Sequence, residues 1–286
     1  MTHVSIGIPD SFLIDSQSLM DKSIKIAQLA RACSIFRVWN IFIYKDRSSK
    51  SDAQDVKIMK MILEYLDTPP YLRKKLFQKH WILKFAGMLP PIKSPHHKPK
   101  ISIHHLELGE VRVGVVLKRG GSNYVDVGLD IPIKLKEIIP EGKKILVRVI
   151  SRKPEIIGTE ISVNKLDGYW GYSVSFFESL GELLKSRESS EIILTSIKGR
   201  KISENLLFDT LKNKLSSIED LLVVFGSPKN GIGKIIQSEG GDDSNCSFII
   251  NMFPDQGTET IRVEEAILGS LAILNSYINL WSNIRN

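Results

Sequence analysis

Cysteine is scarce in this chain: Cys33 and Cys246 are the only two among 286 residues. Two thiols cannot build a zinc framework, and both stand in apolar surroundings, which reads as buried thiols rather than a disulfide. Long apolar runs are missing too. None reaches the roughly 18 residues that a membrane span needs, and the most apolar segment, 263–280, is broken by Glu264, Glu265, Asn275, Ser276 and Asn279. The phosphate-cradling signatures GxGxxG and GxxxxGK[ST] are both absent, which argues against a dinucleotide or triphosphate bound in the usual way. MTHVSIGIPD at the start has no basic stretch followed by an apolar core. It predicts no signal peptide, hence a cytoplasmic protein with no membrane partner.

Acid is missing from the most basic stretch. Residues 71–100 hold eight Lys/Arg and no Asp or Glu, with Tyr71, Phe77 and Trp81 interleaved. The net charge is +7, and residues 91–165 alone carry 14 Lys/Arg against 8 Asp/Glu. Cations meet phosphates and rings stack on bases, so this pattern predicts contact with RNA or DNA. The candidate contacts are Arg73, Lys74, Lys75, Lys79, His80, His96, His97 and Lys98. A single basic helix face is by itself often no more than a solvated surface. The adjacent pairs His96–His97 and His104–His105 have no cysteine nearby and match no common ligand spacing, so no metal is expected.

The rest reads as alternating strands and helices. Val4–Ile8 and Val38–Tyr44 are strands bridged by a helix over Leu19–Ser34, a βαβ unit. A second helix covers Val56–Leu66. Thr68-Pro69-Pro70 opens a third, with the proline suited to a first turn, ended by Gly87 and Pro90-Pro91. Between Pro90 and Leu166 the texture changes to short strands with turn signals: Val111–Leu117, Tyr124–Val127, Ile145–Ser151 and Ile156–Val163. That spacing predicts a small closed β module, most economically an OB-like barrel. The α/β pattern then returns, with strands over Tyr169–Ser175, Glu191–Thr195, Leu221–Phe225 and Phe248–Ile250, and helices over Phe177–Leu184, Ser203–Leu211 and 263–280. The predicted organisation is one α/β domain, 1–90 plus 167–286, interrupted by a β insert at 91–166.

Three loops of the C-terminal half share a polar, glycine-bearing character: TSIKG (195–199), GSPKNGIG (226–233) and NMFPDQGTETIR (251–262). Loops at the carboxyl ends of parallel strands build ligand sites. Together these predict a pocket of backbone amides and carbonyls with few fixed charges, suited to a nucleoside or an amino acid.

The stretches LARACSIFRV (29–38), YLRKKLFQKHWILKFAGMLPPIKSPHH (71–97), DGYWGYSV (167–174), LLVVFGSPKNG (221–231) and NMFPDQGTETIRVEEAILGSLAIL (251–274) resemble the SPOUT, or α/β-knot, RNA methyltransferases. The likeness is to their archaeal and eukaryotic uridine-N3 subfamily. It implies a trefoil-knotted, Rossmann-like α/β domain with an inserted OB-like barrel, working as a homodimer. It also implies S-adenosylmethionine held by Thr195, Ser196, Phe225, Gly226, Ser227, Pro228, Gly231, Asn251, Met252, Pro254, Gln256, Gly257, Thr258, Ile261 and Glu264. The methyl acceptor would be uridine N3 in ribosomal RNA. The alternatives are another RNA position (pseudouridine, a ribose hydroxyl or another base atom) or an RNA-binding assembly factor without turnover. By the same resemblance Arg31 is the leading catalytic residue, a cation for the anionic base, with Arg262 and Asn251 beside the pocket. The competing readings are local pairing for Arg31 and, for Glu264, an answer to the helix macrodipole. The dense apolar coverage of helix 263–280 fits burial in a dimer interface.

Overall fold

Six parallel strands form the larger sheet: β1 (His3–Pro9), β2 (Val38–Tyr44), β8 (Ser173–Phe177), β9 (Glu191–Lys201), β10 (Asp220–Val224) and β11 (Phe248–Asn251). Their order across the sheet is β11-β9-β10-β1-β2-β8. This is a computed structural model, and it describes residues 2–203, 218–240 and 248–282. Cys246 and most of the helix expected over Ser203–Leu211 lie outside those residues. Parallel strands are covered on both faces, which is why they read as near-continuous apolar runs. Leu221, Leu222, Val223 and Val224 are all fully buried.

One face of the sheet packs on two short helices, α4 (Leu180–Ser186) and α5 (Ile232–Ser238). Leu180, Leu183, Leu184, Ile232, Ile235 and Ile236 meet Ile192, Leu194, Leu222 and Val224 there. Two longer helices, α1 (Leu19–Ile35) and α6 (Val263–Ser282), pack on each other. α1 starts where it does because Ser18 and Asp21 make a capping box: the Asp21 N–H donates to Ser18 Oγ (3.1 Å), and the Asp21 carboxylate accepts from the Ser18 N–H (3.3 Å). Ile26, Leu29, Ala30 and Cys33 form its buried stripe.

The chain divides into two compact units. The first comprises 1–64, 84–90 and 172–286, and the second 65–83 and 91–171. Between them in sequence runs α2 (Ala53–Asp67). The second unit contains a closed five-stranded barrel: β3 (Val111–Arg119), β4 (Ser122–Asp126), β5 (Ile133–Leu135), β6 (Lys144–Ser151) and β7 (Ile157–Glu160). Val116, Val125, Val127, Ile133, Leu135, Ile145, Val147 and Val149 fill it. Of these strands β5 is not foreshadowed in the sequence reading, because three residues are too few to show alternation.

The structure departs from the sequence reading at three places. The basic helix, α3 (Pro70–Leu76), ends at Leu76 rather than near Gly87. Phe77 is extended, and two separate 3-10 turns follow, Trp81–Leu83 and Ala86–Met88. Only Leu72 of α3 is buried, so no apolar stripe extends the helix. Segment 65–83 groups with the barrel unit, because Tyr71 and Leu72 pack on Val113 and Val115, and the Tyr71 hydroxyl donates to the Val113 carbonyl (2.7 Å). The compact units are therefore drawn differently from the segments 1–90 plus 167–286 and 91–166.

The third correction concerns 195–199, which is not a turn after β9. The strand runs on to Lys201, but its ladder with β11 skips: Ile249 pairs with Leu194 and Ile250 with Arg200. Thr195–Gly199 is a wide excursion inside the strand. At Gly199 the two backbones pass close together. A Cβ there would sit 2.7 Å from backbone atoms of Ile249 and Ile250, so only glycine permits the approach. Smaller shifts occur at the strand placed at Tyr169–Ser175, which forms at Ser173–Phe177, and at the helix after it. That helix starts where Ser179 Oγ accepts the Glu182 N–H (3.0 Å).

Candidate functional site

The excursion of β9 and the loops after β10 and β11 meet in a cavity of about 350 Å³ in the first unit. Thr195, Ser196 and Ile197 form one wall, Phe225–Lys229 and Gly231 a second, and Asn251–Phe253, Gln256 and Glu259–Ile261 a third. Val263, Ala266 and Ser270, spaced along one face of α6, complete the lining.

Each wall is fastened by its own polar side chains. Thr195 Oγ1 donates to the Val224 carbonyl (2.9 Å), joining β9 to β10. Asn251 joins β11 to β9: its Nδ2 donates to the Ile197 carbonyl (3.1 Å), and its Oδ1 accepts the Phe253 N–H (3.0 Å). The turn at 227–230 is closed by the Ser227 N–H on the Asn230 carbonyl (2.8 Å) and the Asn230 N–H on Ser227 Oγ (2.9 Å). Gly226 has no room for a side chain, since a Cβ would lie 2.9 Å from the Asn230 carbonyl oxygen and the Ile232 nitrogen.

Behind that turn lies a buried polar network. Asn230 Nδ2 donates to Ser48 Oγ and Ser49 Oγ (both 2.9 Å). Ser11 and Ser48 in turn donate to the Asp46 carboxylate (2.6 and 2.5 Å). Burial alone would raise the Asp46 carboxyl, but the hydroxyls of Ser11, Ser48 and Ser49 and the Ser48 N–H outweigh it and hold it below its ordinary value. Asp10, which accepts the Asp46 N–H (2.9 Å), is pushed up by burial, only partly offset by a bond from Ser51. The fully buried Tyr44 hydroxyl donates to the Phe225 carbonyl (2.6 Å). The cavity wall is thus pinned to the ends of β1 and β2.

Of the residues expected at a ligand, Thr195, Ser196, Phe225, Gly226, Ser227, Pro228, Gly231, Asn251, Met252, Gln256 and Ile261 line the cavity. Pro254, Gly257 and Thr258 lie on the same loop but outside the lining. Glu264 points elsewhere. It is buried and sits 3.3 Å from Lys25 Nζ, which also holds Asp15 (2.6 Å). Glu264 and Arg262 line a separate, charged cleft of about 530 Å³ with Asp15, Asp21, Ile24, Lys25 and Gln28. Arg31 is exposed on α1 and is not part of the cavity lining. It stands on an outward stripe with Met20, Ile24, Gln28 and Ile35, all exposed and spaced at helical intervals.

Ile197, Lys229, Phe253, Glu259 and Thr260, which belong to the three predicted loops without being singled out, also line the cavity, and sequence reasoning passed over Val263, Ala266 and Ser270 on α6. One signal for Phe253 was Gly269. A Cβ at Gly269 would lie 2.6 Å from the Phe253 ring, so the glycine is the seat on which that ring rests.

The second unit carries a groove of about 540 Å³ lined by Tyr71, Lys75, Lys98, Lys100, Arg119, Asp126 and Asp130 among others. Several of the expected nucleic-acid contacts are used inside the protein instead. Arg73 donates to the carbonyls of Thr68 (2.9 Å) and Leu66 (3.3 Å) and stacks over Tyr65. His96 Nε2 is 2.9 Å from the Asp67 carbonyl oxygen and 3.1 Å from its carboxylate; His97 Nε2 is 3.0 Å from the Leu66 carbonyl oxygen. Burial, and then His96 beside it, push His97 down to about 4. These three side chains clasp the carbonyls that end α2. Lys75 pairs with Asp126 and Lys98 with Glu110 (3.0 Å). Lys74, Lys79 and His80 are exposed. Among the described residues no group of His, Cys, Asp and Glu could hold a metal ion.

Residues 3–274 match the family model described as "Putative RNA methyltransferase". A 28S rRNA (uridine-N(3))-methyltransferase of Mus musculus is 30% identical over 95% of this chain and 75% of its own length. The human protein of the same name is 28% identical over 95% of this chain and 77% of its own. An uncharacterized protein of Halobacterium salinarum is 27% identical over 94% of this chain and 98% of its own.

Proposed function

The chain belongs to this RNA methyltransferase family, and on that premise we propose that it transfers a methyl group from S-adenosylmethionine to N3 of a uridine in ribosomal RNA. The observation that carries the reading is the cavity itself. One excursion inside a strand and two strand-end loops converge on it, and its base is apolar, with Phe225, Met252 and Val263 buried. Its charged residues, Lys229 and Glu259, are exposed. A neutral nucleoside fits such a base, while a zwitterionic amino-acid end stays near the exposed charges, since an unpaired ion in the base would be costly.

S-adenosylmethionine supplies an already activated methyl group, so the chain's own task is positioning and exclusion of water. Asn251 and Thr195 hold the walls in register. Uracil N3 carries a proton that must leave before its lone pair can attack, and a cation at the ring edge favours that anion. We assign this to Arg31. Its place outside the cavity of its own chain, in the middle of an exposed and largely apolar stripe, supports a homodimer in which the stripe meets a second copy. The partner's Arg31 would then reach the cavity. Ile24 and Gln28 of the stripe share the charged cleft with Arg262, which puts Arg262 at the same face.

We further read the first unit as a SPOUT-type knotted domain. The support is the close passage of Gly199 against Ile249 and Ile250, where β9 leaves the ladder and rejoins it. The barrel we read as OB-like, holding RNA through its basic groove, with Lys100 and Arg119 as contacts in place of Arg73, His96 and His97. The test is mass spectrometry of nucleosides from ribosomal RNA incubated with the protein and S-adenosylmethionine. 3-Methyluridine is the expected product. Methylation confined to a pseudouridine, a ribose or another base atom would reassign the target, and bound RNA with no methylated nucleoside would leave a binding factor.

A further inference from the structure

Ser270 is fully buried, and its hydroxyl finds no hydrogen-bond partner among the described residues. It lines the cavity from α6, one turn beyond Ala266 and two beyond Val263. A serine inside a helix ordinarily donates to the carbonyl four residues back, as Ser276 does to Ala272 (3.1 Å) in this same helix. Ser270 makes no such bond. A buried hydroxyl left unpaired is costly, so its place beside an empty volume points to a partner that arrives with the ligand. Three other donors of the walls are already engaged by the protein: Thr195 by Val224, Asn251 by Ile197, Gln256 by Thr258 and Glu259.

We propose that Ser270 is a specificity residue for the methyl donor, and that its hydroxyl hydrogen-bonds the neutral heterocycle of the nucleoside end at the apolar base of the cavity. The inference rests on the donor reading above and goes further by naming the side chain that meets the nucleoside. Beside Ser270 the Phe253 ring is seated on Gly269, and Met252 and Val263 are buried. An apolar floor with one unsatisfied hydroxyl suits the edge of a flat, uncharged ring. A hydroxyl both donates and accepts, so it can pair with a ring nitrogen or an exocyclic amine.

Ser270→Ala separates this role from a structural one. Calorimetric titration of the full chain with S-adenosylhomocysteine should show affinity about five- to tenfold weaker than wild type. Competition by free adenosine should weaken by the same factor, since the contact lies on the nucleoside. The thermal midpoint of the ligand-free protein should stay level or rise, because the variant removes an unpaired buried hydroxyl. Ser270→Cys keeps the volume with a weaker donor and should fall between the two. Equal affinity of wild type and Ser270→Ala would overturn the proposal, as would a fall in the ligand-free midpoint with affinity retained. Adenosine that binds neither protein, or both alike, would overturn the assignment to the heterocycle. Wild type that binds no S-adenosylhomocysteine at all would instead remove the donor reading, and this inference with it.

Discussion

The two candidate sites are built in opposite ways. The cavity of the first unit is made of backbone turns held by short polar side chains, and its buried base is apolar. The groove of the second unit is made of long cationic side chains, half of them already paired with acids: Lys75 with Asp126, Lys98 with Glu110. A cavity of the first kind selects by shape and is little affected by salt. A groove of the second kind holds a polyanion by charge and loosens as counterions compete. A small neutral nucleoside and an RNA strand are ligands of just these two sorts. The two sites should therefore fail separately.

The largest separation is expected from Arg31→Ala. If Arg31 is the cation for the anionic base, as proposed, its loss should lower turnover by about a hundredfold or more, with affinity for S-adenosylhomocysteine unchanged. Turnover near the wild-type rate would take Arg31 out of the reaction. Next comes charge reversal in the groove. The double change Lys100→Glu and Arg119→Glu should weaken RNA binding by about tenfold or more and flatten its dependence on salt, again with donor affinity intact. Filter binding across a salt series reads this, and an unchanged slope would exclude the groove. Asn230→Ala removes the bonds that tie the 227–230 turn to Ser48 and Ser49. It should cost the donor a few-fold in affinity and leave RNA binding unchanged; equal loss at both sites would mean the two are not independent.

The last expected effect is on stability rather than on turnover or binding. His97 sits at about 4 in the folded chain against about 6.5 for a free imidazole. As pH falls below about 6.5 the unfolded chain takes up the proton first. The part of the stability that depends on His97 should therefore decline between pH 6.5 and 4 and level off below that. Replacing His97 with Gln should flatten this part of the profile in denaturant titrations. A profile with the same slope would mean that the imidazole is not held neutral by its burial beside His96.

The contrast between the sites also governs how much of each could be read from residues alone. The cavity was legible because its loops have a local cause. An apolar strand such as Leu221–Val224, a glycine and a helix start stand side by side in the chain, and the backbone geometry follows. What stayed hidden there was contributed from a distance. The 195–199 excursion depends on how β9 meets β11, and Ser270 faces the cavity only because α6 packs where it does. The groove was less legible because charge says nothing about direction. Arg73, His96 and His97 belong to the most basic stretch of the chain, yet carbonyls at the end of α2 claim them. Lys100 and Arg119 lie 19 positions apart and come together only through the barrel. Arg262 and Glu264 follow the cavity loop directly in sequence but turn to Lys25 and its cleft.

Hydrogen exchange with and without S-adenosylhomocysteine puts the account to its most direct test. New protection is predicted at 195–199, 225–231 and 251–270, with the barrel unchanged. Protection confined to the charged cleft at 15–28 and 262–264, or none anywhere at saturating ligand, would contradict it.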